Sequence, residues 1–221
     1  IIYVIPLFFL LVTLTSECID NELDYPTGPV NIKIYEKTTH INGEPSGGCD
    51  NVVSYALGQT FTIGETGENR GHFLYSIKLW IRESDGTTYP GETTWMKLAV
   101  YKNITENKRE DSVFPYREIT LGNKQGELTI QTDGVPSKDH AYREYEFRFP
   151  GTQVWLERDG YYAMVITTDG KIEVKAIWSG FTYPTYYEGG TAFECLEPNN
   201  CGSGTDTHDW VFEEYGTDYL G

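Results

Sequence analysis

The chain has 221 residues and a formal net charge of −16, from 17 Lys and Arg against 33 Asp and Glu. So acidic a composition, with no basic run longer than NKRE at Asn107–Glu110, argues against a nucleic-acid partner, because phosphate binding draws on clustered Lys and Arg. Its 17 Tyr, 10 Phe and 5 Trp beside only 2 Met favour strands, whose pleated surfaces accommodate rings, and 23 Gly with 10 Pro predict frequent turns.

Residues 1–18 open with the apolar run IIYVIPLFFLLV and pass into small and polar residues. A run this short fits a signal-peptide core better than a bilayer span, which takes about 20 apolar residues. The tail of a truncated membrane anchor, or an N-terminal packing segment of the filament-subunit kind, are the alternatives. Export to the outside or the cell surface is the expectation. Residues 19–55 read as an extension punctuated by YPTGP and NGEPSGG, with one alternating strand, VNIKIYEKT, between them.

From residue 56 to 216 alternation recurs at short intervals: QTFTI, FLYSIKLWIRE, TWMKLAVYKN, ELTIQT, REYEFRF, GYYAMVITT, IEVKAIWS and DWVFEEYG. Turn-rich segments such as GETGENRG, SDGTTYPGE and TDGVPSKD separate them, and residues 217–221 form a short tail. No amphipathic helix of ten residues is present, so the pattern predicts an all-β protein, an antiparallel two-sheet β-sandwich, in one domain. The period of two assigns the faces. Ile77, Leu79 and Ile81 point inward with Met96, Leu98 and Val100, and Tyr145, Phe147 and Phe149 join them. Trp80 and Trp95 then fall on faces that otherwise carry charge, either packed beneath a loop or forming an exposed aromatic ligand face.

Four cysteines allow three pairings. Cys195 and Cys201 bracket LEPNN, a Pro/Asn turn able to bring the sulfurs together, which leaves Cys18–Cys49 as a second pair. Structural zinc spacing is missing.

The order GQTFTI, YSIKLWI, MKLAVYK, YEFRFPGTQVWLERDGYYAMVI, IWSGFTYPTYYEGGTAF and HDWVFEEYG resembles a jelly-roll β-sandwich module of secreted and surface-anchored bacterial, archaeal and phage proteins, of the choice-of-anchor or carbohydrate-binding-like kind. The resemblance implies that the Q-x-F strand at Gln59 and the D-x-x-F-x-x-Y-G strand at Asp209 mark the two ends of one jelly roll. One departure stands out. Where that pattern carries a short hairpin with a Trp, this chain has ECLEPNNCGSGTDT, read as a disulfide-tied loop.

Motifs for catalysis are lacking: no G-x-S-x-G elbow, no H-E-x-x-H and no phosphate loop occurs. His40, His72, His140 and His208 fall in turns or at strand ends and read as surface histidines. No pair among the many carboxylates is marked for glycoside hydrolysis, so a secreted polysaccharide hydrolase ranks last. Sugar binding needs flat aromatic faces with polar groups beside them. Tyr183, Tyr186 and Tyr187, around Pro184 and next to Glu188, sit in a connection where rings are freer to face solvent, whereas Trp178 alternates with Val174 and Ala176 and reads as core. Asp206 and Asp209 in GTDTHD, with Asp50 in CDN, are candidate oxygen ligands for Ca2+. Asn103 opens the sequon NIT. The expectation is a non-enzymatic exported module binding a glycan or another surface polymer. The runner-up is a structural spacer or assembly subunit of a cell envelope, filament or phage particle, contacting other copies or other envelope proteins.

Overall fold

The computed structural model describes residues 32–38, 48–49, 56–84, 93–109, 116–137, 140–150, 154–178, 187–197, 200–203 and 208–217. Sixteen strands run through them: β1 Ile32–Lys37, β2 Gly48–Cys49, β3 Ala56–Thr62, β4 His72–Glu83, β5 Trp95–Lys102, β6 Thr105–Arg109, β7 Tyr116–Thr120 and β8 Asn123–Gln131. Then follow β9 Arg143–Arg148, β10 Trp155–Leu156, β11 Tyr161–Thr168, β12 Ile172–Trp178, β13 Ala192–Glu197, β14 Asn200–Ser203, β15 His208–Trp210 and β16 Phe212–Thr217.

They form two eight-stranded antiparallel sheets, as the alternation predicts. The first runs β1-β16-β4-β12-β15, with β9 and β10 also on β4 and β2 on β12. Ser76 pairs with Tyr215 of β16 and with Arg148 of β9, so those two strands flank β4 on opposite sides. The second runs β6-β7-β14-β13-β3-β11-β5-β8. The chain crosses between sheets at seven of the twelve connections from β3 to β15, which gives a jelly-roll-like sandwich. β1, read from sequence as part of an extension, is built into the first sheet through β16.

The core lies between the sheets. Leu74, Ile77, Leu79, Ile81, Phe147 and Phe212 from the first sheet meet Leu57, Phe61, Met96, Leu98, Val100 and Met164 from the second, all buried. Each such side chain contributes about 1.5–3 kcal/mol through burial. In β4 the inward set changes parity, with His72 and Leu74 before Tyr75 and Ile77, Leu79 and Ile81 after it. A bulge at Tyr75 explains this, since Leu74 and Ser76 pair with the adjacent residues Gly216 and Tyr215.

The second sheet curls into a half-barrel. β6 and β11 are separated by four strands, about 24 Å in a flat sheet. Yet the Tyr161 hydroxyl of β11 donates a hydrogen bond to Glu106 of β6. Inside the curl lies a second apolar cluster of Ala56, Ile119, Ala163, Val165, Phe193, Cys195 and Cys201. Gly58 permits it, because a Cβ there would stand 2.0 Å from the Phe193 ring. The segment expected as a disulfide-tied loop is instead the β13–β14 hairpin, with Cys195 directly opposite Cys201. The bond itself is present, as its turn predicts. Local Pro and Asn signal the turn, but the strands around it exist because β13 pairs β3 and β14 pairs β7.

Candidate functional site

Outward-facing residues of the second sheet build a groove of about 140 Å³ inside the curl. Period-two alternation turns Lys97, Ala99 and Tyr101 of β5 away from the core, and the register sets Ala99 beside Val165, Lys97 beside Thr167 and Tyr101 beside Lys124. Ala56, Ala99 and Val165 form a low apolar floor with Cys195, while Tyr101 and Leu121 rise beside it. Lys97, Lys124, Glu127 and Thr167 supply a polar rim. Small side chains leave the hollow, and the half-buried Tyr101 ring gives it an aromatic wall. Lys124 and Glu127 pair at 2.6 Å, which holds the Glu127 carboxyl below its usual range. Lys97 also acts on Glu127, and among the described residues the two lysines leave the rim with one net positive charge, in a chain whose net charge is −16. Among the described residues, Glu127 is the one carboxylate lining the groove. A more open depression of about 240 Å³, lined by Glu83, Asp133, Ser137 and Arg143, has no aromatic face.

The structure places the predicted residues as follows. Tyr187 is corrected from ligand platform to core. It is fully buried, edge-on to Phe212, and its hydroxyl accepts from the Thr62 N–H at 3.0 Å and donates to the Thr62 carbonyl at 3.2 Å. Burial drives its phenol pKa upward, and no ring face is left for a ligand. Glu188 is exposed, while Tyr183 and Tyr186 lie outside the described residues. Trp80 and Trp95 are both half-buried but occupy different sheets, with Trp80 on the outer face of the first and Trp95 on the outward face of β5. They therefore cannot form one aromatic face. Trp95 precedes the groove residue Lys97 along the same strand face, about 7 Å away.

Asp209 is corrected from cation ligand to internal strut. Only 1% exposed, it accepts from Gln59 Nε2 at 3.2 Å and from the Tyr187 N–H at 3.3 Å. Asp50 and Asp206 lie outside the described residues, and among the described ones no three His, Cys, Asp or Glu converge to hold a metal. Cys18 also lies outside them, and Cys49 is described only as the backbone partner of Lys175. His72 is corrected from surface to core, being fully buried and stacked on Tyr35 with ring centroids 3.7 Å apart. His140 is exposed, with Nδ1 2.6 Å from Ser137 Oγ. Asn103 is exposed in the turn after β5, at φ 60°.

The alternation that turns Met96, Leu98 and Val100 inward also turns Lys97 and Tyr101 outward, but it cannot gather them with Lys124, Thr167 and Cys195, which come from strands distant in sequence. Trp155, 42% exposed on the first sheet, is missed by the sequence reading. Val154 and Leu156 are buried on either side of it, so the alternation was there to be read.

No family model matches the chain, and neither a curated protein nor a solved structure is significantly similar to it. The jelly-roll-like sandwich, with one sheet curled, therefore stands on the geometry alone.

Proposed function

We propose that the chain is a non-enzymatic, exported surface module that binds a glycan or a similar surface polymer in the groove of the curled sheet. The observation that carries this reading is the groove itself: a small apolar floor, one aromatic wall and hydrogen-bonding groups of both polarities on the rim. A pyranose presents C–H faces to rings and hydroxyls to charged and hydroxylated side chains, and such a hollow meets both needs. The rim also favours the ligand's charge. Lys97 and Lys124 together outweigh Glu127 on the described rim, which favours a uronate-bearing or otherwise acidic chain over a neutral one. A lone carboxylate supports binding over hydrolysis, since a glycosidase needs two facing each other across the bond.

A glycan array on the purified protein, followed by calorimetric titration with and without added calcium, tests the proposal. Tyr101→Ala should weaken binding by about 1–2 kcal/mol, a several-fold to tens-fold loss. Lys97→Ala should weaken acidic ligands more than neutral ones. Binding unaltered by either substitution would place the ligand elsewhere. The second reading, an assembly subunit, is favoured by the exposed Ile32, Ile34 and Trp155 on the outer face of the first sheet.

A further inference from the structure

Among the described residues, the large hydrophobics that stand exposed are Ile32 at 41%, Ile34 at 39% and Trp155 at 42%. All three lie on the outer face of the first sheet. The register makes a continuous row, Ile32–Thr217–Phe73–Trp155, across β1, β16, β4 and β10. Phe73 and Trp155 meet edge to face, with centroids 4.8 Å apart. The next row is Ile34–Tyr215–Ser76–Arg148. Beyond it runs a row of alternating charge, Lys37–Glu213–Lys78–Glu146. Within the chain these charges are partly engaged: Lys78 with Glu144 at 3.1 Å, Glu146 with Arg148 at 2.7 Å, and Glu213 with the Tyr215 hydroxyl at 2.5 Å.

We propose that this face is a self-association surface whose occupant is a second copy of the same chain. The charge row selects that partner. A two-fold axis lying in the interface and running along the strands between β16 and β4 reverses the order of the four columns. Lys37 then faces Glu146 of the other copy, and Glu213 faces Lys78. Four columns of alternating sign are self-complementary under that operation, as an isologous dimer requires. The same operation sets Ile32 over the Trp155–Phe73 pair of the partner and buries the exposed apolar row. The groove of the curled sheet belongs to the other sheet and stays open in such a dimer.

The three rows span about 14 Å across the strands and 17 Å along them, less than the roughly 800 Å² per partner of a standard interface. The association should therefore be weak, in the micromolar range. Sedimentation velocity on the purified full chain, from sub-micromolar to high micromolar concentration, reads it directly. The expected result is a reversible monomer–dimer equilibrium that Trp155→Glu weakens at least tenfold, with Ile32→Glu as the second variant should melting show Trp155→Glu to be unfolded. Lys78→Glu sets like charges face to face and should weaken the dimer, while Lys78→Glu combined with Glu213→Lys should restore it. A monomer at every concentration overturns the proposal. So does an oligomer that all these variants leave intact, since its contacts would then lie elsewhere in the chain.

Discussion

His72 Nε2 lies 2.9 Å from Glu214 Oε1 in the interior of the sandwich, and neither residue reaches solvent. His72 Nδ1 is 2.9 Å from the Arg70 carbonyl, which can only accept, so that nitrogen carries a proton. The pair with Glu214 shares the remaining one. Tyr35 stacks on one side of the His72 ring, and Gly216 leaves room for the imidazole, since a Cβ there would stand 2.1 Å from its Cδ2. Glu36, opposite Glu214 on β1, is also buried and accepts from the Gly64 and Thr66 N–H groups and the Thr66 hydroxyl. Glu36 thus fastens the first strand to the turn after β3, while Glu214 ties β16 to β4 through His72.

Burial pushes the Glu214 carboxyl above its ordinary 4.5 against the opposing pull of His72, and Glu214 Oε2 has no hydrogen-bond partner to hold the charge. A carboxyl whose folded pKa is raised binds its proton more tightly in the native state than in the unfolded chain. Its contribution to stability is fully present below 4.5 and is lost as pH rises through the raised value. Glu214→Gln keeps the shape without the titration. Thermal melts as a function of pH should show the wild-type melting temperature falling relative to Glu214→Gln as pH rises above that point. Parallel profiles would show that Glu214 does not titrate in this way.

Gln59 joins the two sheets. Its Nε2 donates to Asp209 and its Oε1 accepts from the Trp210 N–H at 2.8 Å, from the opposite side of the sandwich. Gln59→Ala removes both contacts and leaves a buried carboxylate and a buried backbone donor without them. The cost should be about 3 kcal/mol or more, read from the denaturant midpoint. Gln59→Glu should cost at least as much, because it brings a second carboxylate against Asp209.

At Tyr187 two substitutions separate ring from hydroxyl. Tyr187→Phe keeps the packing on Phe212 and loses the bonds to Thr62, for about 1–2 kcal/mol. Tyr187→Ala leaves a cavity and should cost about 3–5 kcal/mol. Neither should alter glycan affinity under conditions where the variant is folded. A loss of binding in folded Tyr187→Phe would return this residue to the ligand site.

The Cys195–Cys201 bond closes a loop with a sequence separation of 6. So short a loop restricts the unfolded chain only modestly, by about 2 kcal/mol. Reduction should lower the denaturant midpoint by that amount while the far-ultraviolet dichroism of the folded protein is retained. Global unfolding on reduction in native buffer would show that the β13–β14 hairpin depends on the bond far more than loop entropy allows.

The longer alternating strands and their faces were written into the sequence by itself, because alternation is a local property set by the pleat, whereas β6, β7, β13 and β14 were not read there. Ile77, Leu79, Ile81, Met96, Leu98 and Val100 turned inward as the period of two requires, and the turn between Cys195 and Cys201 announced its disulfide. Partnership was decided only by the tertiary structure. Trp80 and Trp95 carry the same local signal yet lie on different sheets, since sheet membership depends on pairings between residues far apart in the chain. Tyr187 and His72 sit beside the breakers Gly189 and Gly71 and so read as surface, but the long-range partners Thr62 and Glu214 draw both into the core. The groove follows the same logic. Its floor and rim come from β3, β5, β8, β11 and β13, and only the long-range pairing order β13-β3-β11-β5-β8 makes them one site.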